Sequence, residues 1–378
     1  MLGPRVRIPA GSQIGLVNRA FFMPPKPVFI ILSPGFPHDE SETTCMPPQQ
    51  VFVRSLIKLF PSLEIVVLSF HYPYFKSEYK YFGSRVITFG GINKAGIKGL
   101  ILRHKIWKKL EKLNKENTII GLLSFWYADC AFMGKKFAQK NNLKHLVWIL
   151  GQDAKRDNKY IKRDEPHGNE LIALSDFIQT EFTLNHGIKP GHVIPPGIDP
   201  ALYENTVVKR DIDVMGAGSL IPLKQYDVFV EIIHQLKNRI SNLNTRLCGK
   251  GPQESDLRIL INELNLAGTL ELTGELPHPS VLKLMQRSKV FLHTSSYEGF
   301  GVVCLEALHA GCHVISFTRP MNQTIPNWHV VNNKDEMIKK ALELLVDNET
   351  NYRPVTPFLI NESARAMMKL YDYIDAAR

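Results

Sequence analysis

The chain has 378 residues, 44% of them hydrophobic and 22% charged, too long for one ordinary α/β domain and enough for two, each with its own core. No apolar run approaches the roughly 18–20 residues that a membrane-spanning helix needs, so a bilayer-crossing helix is excluded. A net charge of +10 favours anionic partners such as a diphosphate, an acidic lipid surface or nucleic acid.

Residues 1–22, MLGPRVRIPAGSQIGLVNRAFF, have neither the apolar core of a signal peptide nor any periodicity. Met23 opens MPPKPVFIILSPGF as a natural start would, so the preceding stretch reads as a non-native or disordered extension; RVRIP is what the T-arm of a tRNA gene would give if translated. From Val28 onward, short β-branched runs alternate with helical stretches. VFIIL (28–32), EIVVLSF (64–70), TIIGLLSF (118–125) and HLVWIL (145–150) predict strands, followed by the shorter IALSDF (172–177) and HVIPPGI (192–198). This is the pattern of one doubly wound domain. A second series holds DVMGAGS (213–219), TRLCG (245–249), TLELTG (269–274), VFLHTS (290–295) and HVISF (313–317), with helices predicted over 225–240, 253–265, 279–287, 301–310 and 334–346. The last amphipathic stretch, 361–376, has no strand of its own and is free to pack back across a cleft. The five cysteines lie singly, without CxxC pairs or metal-ligand spacing, and read as buried thiols of a reducing cytoplasm.

The strongest local signal is SSYEGFGVVCLEALHAGCHVI (295–315), where a strand ends and Glu298-Gly299-Phe300-Gly301 opens a helix. A helix N-terminus offers free N–H donors and a positive dipole end, and glycines let an anion approach that backbone. Glu306 follows Glu298 by eight residues, about two helical turns, so both carboxylates can face one cleft. Taken singly, Glu298 reads as a helix cap and Glu306 as a surface helix residue. Their context is GAGSLIPLKQYDVFVEII (216–233), LCGKGPQESDL (247–257) and LTGELPHPSVLKLMQRSKVFLHTSSYEGFG (272–301), in that order. The series resembles the donor-binding domain of the retaining glycosyltransferases of family 4, with their E-x7-E motif and GT-B fold. The resemblance is specific over about 212–317 and continues more weakly through SDFIQTEF and GIKPGHVIPPGID (175–199).

The resemblance implies an α/β GT-B architecture of two Rossmann-like domains facing across a cleft. The N-terminal acceptor domain would span 23–205, the nucleotide-sugar domain 206–354, and the C-terminal helix, about 355–378, would return to the first. It places Glu298 on the hydroxyls of the transferred sugar, the Gly299-Phe300-Gly301 backbone beside sugar and phosphate, Glu306 on the ribose and Lys224 on the diphosphate. Lys224 alone would read as a solvated loop lysine. Gly35 of Ser33-Pro34-Gly35-Phe36-Pro37 occupies the family's loop over the diphosphate, although SPGFP also reads as a plain turn. The loop before the helix that begins near His278 lies near the base, which makes His278 a further candidate.

Three positions depart from the family. Ser219 replaces an arginine that partners the phosphates. Leu150 stands before Gly151-Gln152-Asp153 where relatives often carry a histidine, leaving Asp153 as a site candidate or a helix cap. TRPMNQTIP (318–326) replaces a glycine-rich turn. Asp211-Ile-Asp213 spells a DxD sequence but sits at a strand entrance, so no metal site is expected. Gly249-Lys250-Gly251 reads as a turn before a helix, since the third glycine and the ribose-binding acid of a dinucleotide fingerprint are missing.

One basic stretch, KAGIKGLILRHKIWKKLEKLNK (94–115), sets Lys98, Lys105, Lys108, Lys109 and Lys112 on one helical arc and Leu100, Ile101, Trp107, Leu110 and Leu113 elsewhere. Such a helix either lies on anionic lipid or packs its apolar side on the first sheet; no nucleic-acid reader motif accompanies it. The implied activity is retaining transfer of a sugar from a nucleotide-sugar to a hydroxyl of a glycan, lipid-linked or surface-polymer acceptor. It would take place in the cytoplasm, either free or peripherally at the inner face of the membrane, without metal or cofactor. A nucleotide-sugar epimerase and a catalytically weak sugar-nucleotide-binding protein are the alternatives.

Overall fold

The structure, a computed structural model, describes residues 26–93, 96–204 and 208–374; the reading of residues 1–22 lies outside them. The first lobe is an eight-stranded sheet in the order β3-β4-β2-β1-β5-β6-β7-β8. Its strands are β1 (Val28–Gly35), β2 (Glu64–Tyr72), β3 (Lys76–Tyr81), β4 (Ser84–Phe89), β5 (Ile119–Phe125), β6 (His145–Ile149), β7 (Leu171–Ala173) and β8 (His192–Val193). Its helices are α1 (Pro47–Leu59), α2 (Gly96–Glu116), α3 (Asp129–Asn141), α4 (Lys159–Asp164) and α5 (Asp176–His186). The central strands are parallel and apolar along nearly their whole length because helices cover both faces. Along β1 the alternation divides the core: Phe29 and Ile31 pack toward α1, and Val28, Ile30 and Leu32 pack toward α2 and α3.

The second lobe is a six-stranded parallel sheet in the order β11-β10-β9-β12-β13-β14. It comprises β9 (Ile212–Ala217), β10 (Thr245–Cys248), β11 (Leu270–Gly274), β12 (Ser288–His293), β13 (His313–Ser316) and β14 (Trp328–Val330). Around it lie α6 (Tyr226–Lys237), α7 (Glu254–Glu263), α8 (His278–Gln286), α9 (Val302–His309) and α10 (Lys334–Val346). The final helix, α11 (Ile360–Lys369), docks on the first lobe. Asn361 accepts the Ser55 hydroxyl of α1 at 2.8 Å, and the buried Tyr371 hydroxyl donates to the Leu122 carbonyl of β5 at 2.6 Å.

Three local expectations are corrected. IALSDF is strand only through Ala173: the Ser175 hydroxyl accepts the Ile178 amide and caps α5, so capping chemistry ends the strand. HVIPPGI contributes only the two residues of β8, since prolines cannot donate to a ladder. On α2, the face against the sheet is Leu102, Ile106, Leu110 and Leu113, whereas Leu100 and Ile101 point outward with the lysines; at 100° per residue Ile101 falls inside the lysine arc. Each sheet reverses its strand order at its centre, between β1 and β5 and between β9 and β12. Ligands of such sheets bind at the carboxyl ends of the strands at that point, and the two lobes turn those ends toward each other.

Candidate functional site

A cavity of about 530 Å³ lies between the lobes, within the ordinary range for a small-molecule site. The first lobe lines it with Thr43, Thr44, Gln49 and Trp126, and the second with Ser219, Lys224, Lys250, His278, Glu298 and Glu306. The loop carrying Glu298 is fastened on both sides. Ser175 of the first lobe donates to the Gly299 carbonyl at 2.6 Å, and the Tyr297 hydroxyl donates to the Gly151 carbonyl at 3.2 Å. A side chain at Gly299 would overlap the Leu150 carbonyl, so only glycine permits this approach. From the second lobe, the Thr294 hydroxyl donates to the Lys224 carbonyl at 2.7 Å and the Ser296 amide to the Leu223 carbonyl at 3.1 Å, tying the lysine loop to the glutamate loop. Helix α9 then begins after Gly301, at φ 77° and without a side-chain cap, so its first amides keep their donors for a ligand.

Three groups converge on one oxygen of Glu298. Lys224 Nζ forms an ion pair with Oε1, the Ser295 hydroxyl donates to it at 3.0 Å, and His293 Nε2 lies 3.4 Å away. Burial alone would raise this carboxyl's pKa, but the His293 hydrogen bond and the Lys224 charge outweigh it and hold the group at about 2. Glu306 makes a second pair, with its Oε1 2.8 Å from His278 Nε2. Burial disfavours the imidazolium, yet the Glu306 carboxylate prevails and raises the His278 pKa. His278 also ties the lobes together, its amide donating to the Thr43 hydroxyl at 3.0 Å. Glu298 is therefore partnered by Lys224, and Glu306 by His278.

Among the sequence candidates, Ser219, Lys224, His278, Glu298, Gly301 and Glu306 line the cavity. Phe300 is buried against Phe358 and Trp328, and with Glu298 and Leu150 it lines a smaller hollow of about 110 Å³ behind the loop. Gly35 is not on the cavity wall: it ends β1 packed against Tyr72 and Met46, and the first lobe reaches the cavity with Thr43, Thr44 and Gln49 instead. Asp153 is also elsewhere. It is buried and accepts the amides of Tyr127 and Gly151, both at 2.8 Å, and of Leu150, so it holds a turn; burial pushes its pKa up to about 6 against those bonds. Asp211 and Asp213 lie at the amino end of β9, spent on Arg287 and Lys289. Conversely, Gly249 and Lys250, read as a turn, reach the cavity, and Lys250 pairs there with Glu275. Its ammonium shares a wall with Ser219. His293 and Ser295 carry no signal in the sequence, because only their convergence on Glu298 marks them.

Residues 204–356 match the family described as glycosyl transferases group 1. This lobe is a group 1 glycosyltransferase domain. The chain is 25% identical over 231 residues to a phosphatidylinositol N-acetylglucosaminyltransferase subunit of Arabidopsis thaliana, covering 58% of this chain and 50% of that one. It is 31% identical over 103 residues to 2-deoxystreptamine N-acetyl-D-glucosaminyltransferase of Niallia circulans, covering 27% of this chain and 26% of the relative. The chain spans about half the length of the first of these relatives. Sucrose-phosphate synthase from Thermosynechococcus elongatus superposes with a TM-score of 0.70 at 16% identity, over 92% of this chain and 98% of that one. HepE of Anabaena, solved with UDP and glucose, gives 0.59 at 14% identity, over 91% and 97%. These likenesses establish the GT-B fold. The glycosyltransferase domain supplies Lys224, Glu298 and Glu306, and the first lobe closes the cavity over them.

Proposed function

We propose that this protein transfers a glycosyl group from a nucleotide-sugar to a hydroxyl of a glycan or lipid-linked acceptor, with retention at the anomeric carbon, and works at the cytoplasmic face of a membrane. The observation that carries the reading is the convergence of Lys224, Glu298 and Glu306 on one cavity between facing sheets. In this reading the donor diphosphate draws Lys224 away from Glu298 and caps the first amides of α9. Ammonium and backbone donors neutralise it, so no divalent metal is required. Glu298 then accepts hydroxyls of the transferred sugar, and the ribose hydroxyls compete with His278 for Glu306. The bond from the anomeric carbon to the phosphate oxygen breaks while the acceptor oxygen bonds to the same face of that carbon. The acceptor proton passes to the leaving phosphate. Closure around the donor excludes water, whose attack would waste it.

The names of the relatives support N-acetylglucosamine as the sugar to try first. Turnover of UDP-, GDP- and ADP-sugars, with and without chelator, tests the reading. Acceptor-dependent nucleotide release insensitive to chelator supports it. Change of the donor sugar without any acceptor would make the protein an epimerase, and nucleotide binding without turnover would make it a binding protein.

A further inference from the structure

The two walls of the interlobe cavity differ in charge. The second lobe brings Lys224, Lys250, Glu275, Glu298 and Glu306, whereas the first lobe's lining residues, Thr43, Thr44, Pro47, Pro48, Gln49 and Trp126, carry no charge among them. An ionised group laid against that first wall would lose water without gaining an ion partner there.

Trp126 directly follows β5, where the first sheet reverses its strand order. Its φ is 62°, a left-handed conformation that bulky residues rarely adopt. Three amides hold the turn: that of Trp126 donates to the Trp148 carbonyl at 3.0 Å, that of Ala128 to the Trp126 carbonyl at 3.0 Å, and that of Tyr127 to the buried Asp153 carboxylate at 2.8 Å. A costly conformation fixed from three sides aims its side chain for a purpose. The indole lines both the interlobe cavity and the hollow that Glu298 shares, whereas Ser219, Lys224, His278 and Glu306 line only the former of these. The indole therefore stands at the Glu298 end, away from the carboxylate assigned to the ribose.

The chain has four tryptophans. Trp107, Trp148 and Trp328 donate their indole N–H to Glu111 at 2.9 Å, the Ile194 carbonyl at 3.2 Å and the Ser316 hydroxyl at 2.8 Å. The Trp126 N–H has no partner among the described residues. Two neighbours on α1 show the same contrast. Gln50 is buried and spends its carboxamide on the Glu42 and Cys45 carbonyls and the Tyr81 hydroxyl. Gln49, on the cavity wall, bonds nothing with its side chain among the described residues. An aromatic face edged by an N–H donor and a carboxamide, which both donates and accepts, complements a sugar ring. The slightly positive C–H bonds on one face of the ring meet the negative face of the indole, and its hydroxyls reach the N–H and the amide.

We propose that Trp126 and Gln49 form the acceptor subsite, and that the group they hold is an uncharged pyranose ring, laid on the indole with one hydroxyl turned toward the sugar on Glu298. Calling that ring the acceptor rests on the transfer reading; its binding to the indole does not. The test labels the full chain with nitrogen-15 tryptophan and identifies the Trp126 indole resonance by its loss in Trp126→Phe. Methyl glycosides of glucose, galactose, mannose and N-acetylglucosamine are titrated in, each alone and with UDP, GDP or ADP, beside sorbitol, a polyol without a ring face. At least one glycoside should move the Trp126 resonance and leave the other indoles in place, with a dissociation constant in the millimolar range; sorbitol should not. Gln49→Ala should weaken that glycoside about fivefold. Trp126→Ala should abolish its saturation-transfer signal while calorimetry finds nucleoside diphosphate bound as in the parent. Should the alanine variant not fold, Trp126→Phe keeps a ring face, loses the N–H and should bind the glycoside about threefold more weakly. A Trp126 resonance that no glycoside moves, that sorbitol moves equally, or that answers only to nucleotide would overturn the proposal, as would glycoside binding intact in both Trp126 variants. Nucleotide binding without glycoside binding sinks this subsite alone; glycoside binding without binding of UDP, GDP or ADP sinks the transfer reading.

Discussion

Replacing Glu298 by glutamine keeps the shape of the side chain and removes the charge on which Lys224, Ser295 and His293 converge. The fall of its pKa from an ordinary 4.5 to about 2 corresponds to about 3 kcal/mol of preference for the carboxylate. Two effects of opposite sign follow. At the reacting sugar a preorganised charge is lost, and kcat should fall about 100-fold or more, as when one positioned electrostatic group is deleted. At the diphosphate, Lys224 no longer has to leave a carboxylate, and returning about 1 kcal/mol of that preference tightens nucleoside diphosphate binding roughly fivefold. The pH profile supplies a third readout. A depressed carboxylate stabilises the fold above its unfolded value of 4.5 and loses that contribution as pH falls toward about 2, so the parent should lose stability across that window and the variant should lack the step. Initial rates, calorimetry and thermal melts between pH 5 and 2 check these together. Unchanged kcat, or nucleotide binding weakened tenfold, would refute the reasoning.

Lys224→Ala removes the ammonium from both partners and should cut kcat/KM about tenfold or more, on the order of 1.4 kcal/mol; Ser219→Arg on the same wall should tighten nucleoside diphosphate binding, both read by steady-state kinetics and calorimetry. His278→Gln should remove a stabilisation that is fully present below the unfolded histidine value of 6.5 and is lost as pH rises through the raised folded value. Melting curves from pH 5.5 to 9 should therefore converge with the parent's at the alkaline end. Gly249→Ala places a Cβ on the Gly218 carbonyl at a φ of 146°, and the overlap should cost about 1–3 kcal/mol, visible as a lower Tm and weaker nucleotide binding.

The second lobe is legible in the sequence because its glycosyltransferase signals are local and ordered: strands of β-branched residues, a glycine-framed helix start, and two glutamates eight residues apart, one before the helix and one on it. What escapes a reading of the sequence depends on the third dimension. Strand β3 of the β3–β4 hairpin runs KSEYKY on the sheet edge, with alternating exposed polar residues, and offers no apolar run to detect. Gly35 fails as a candidate because the chain leaves β1 and comes back to the cavity only near Thr43, a loop path that no spacing encodes. Gly249 and Lys250 look like a turn because their importance lies in the approach of two strand ends, β9 and β10, that are far apart in sequence. The lysine arc of α2 is basic as its spacing predicts, but Ile101 lies inside that arc and Leu100 is exposed as well, so the helix buries a narrower stripe, Leu102, Ile106, Leu110 and Leu113, than the sequence suggests.

The central claim, that Lys224, Glu298 and Glu306 form one nucleotide-sugar site, is tested most directly by calorimetric titration of UDP, GDP and ADP into the parent and three single variants. The account predicts that one nucleoside diphosphate binds the parent, that Lys224→Ala and Glu306→Ala each weaken it about tenfold or more, and that Glu298→Gln does not weaken it. No binding of any of the three by the folded parent, or affinities unchanged in both Lys224→Ala and Glu306→Ala, would contradict it.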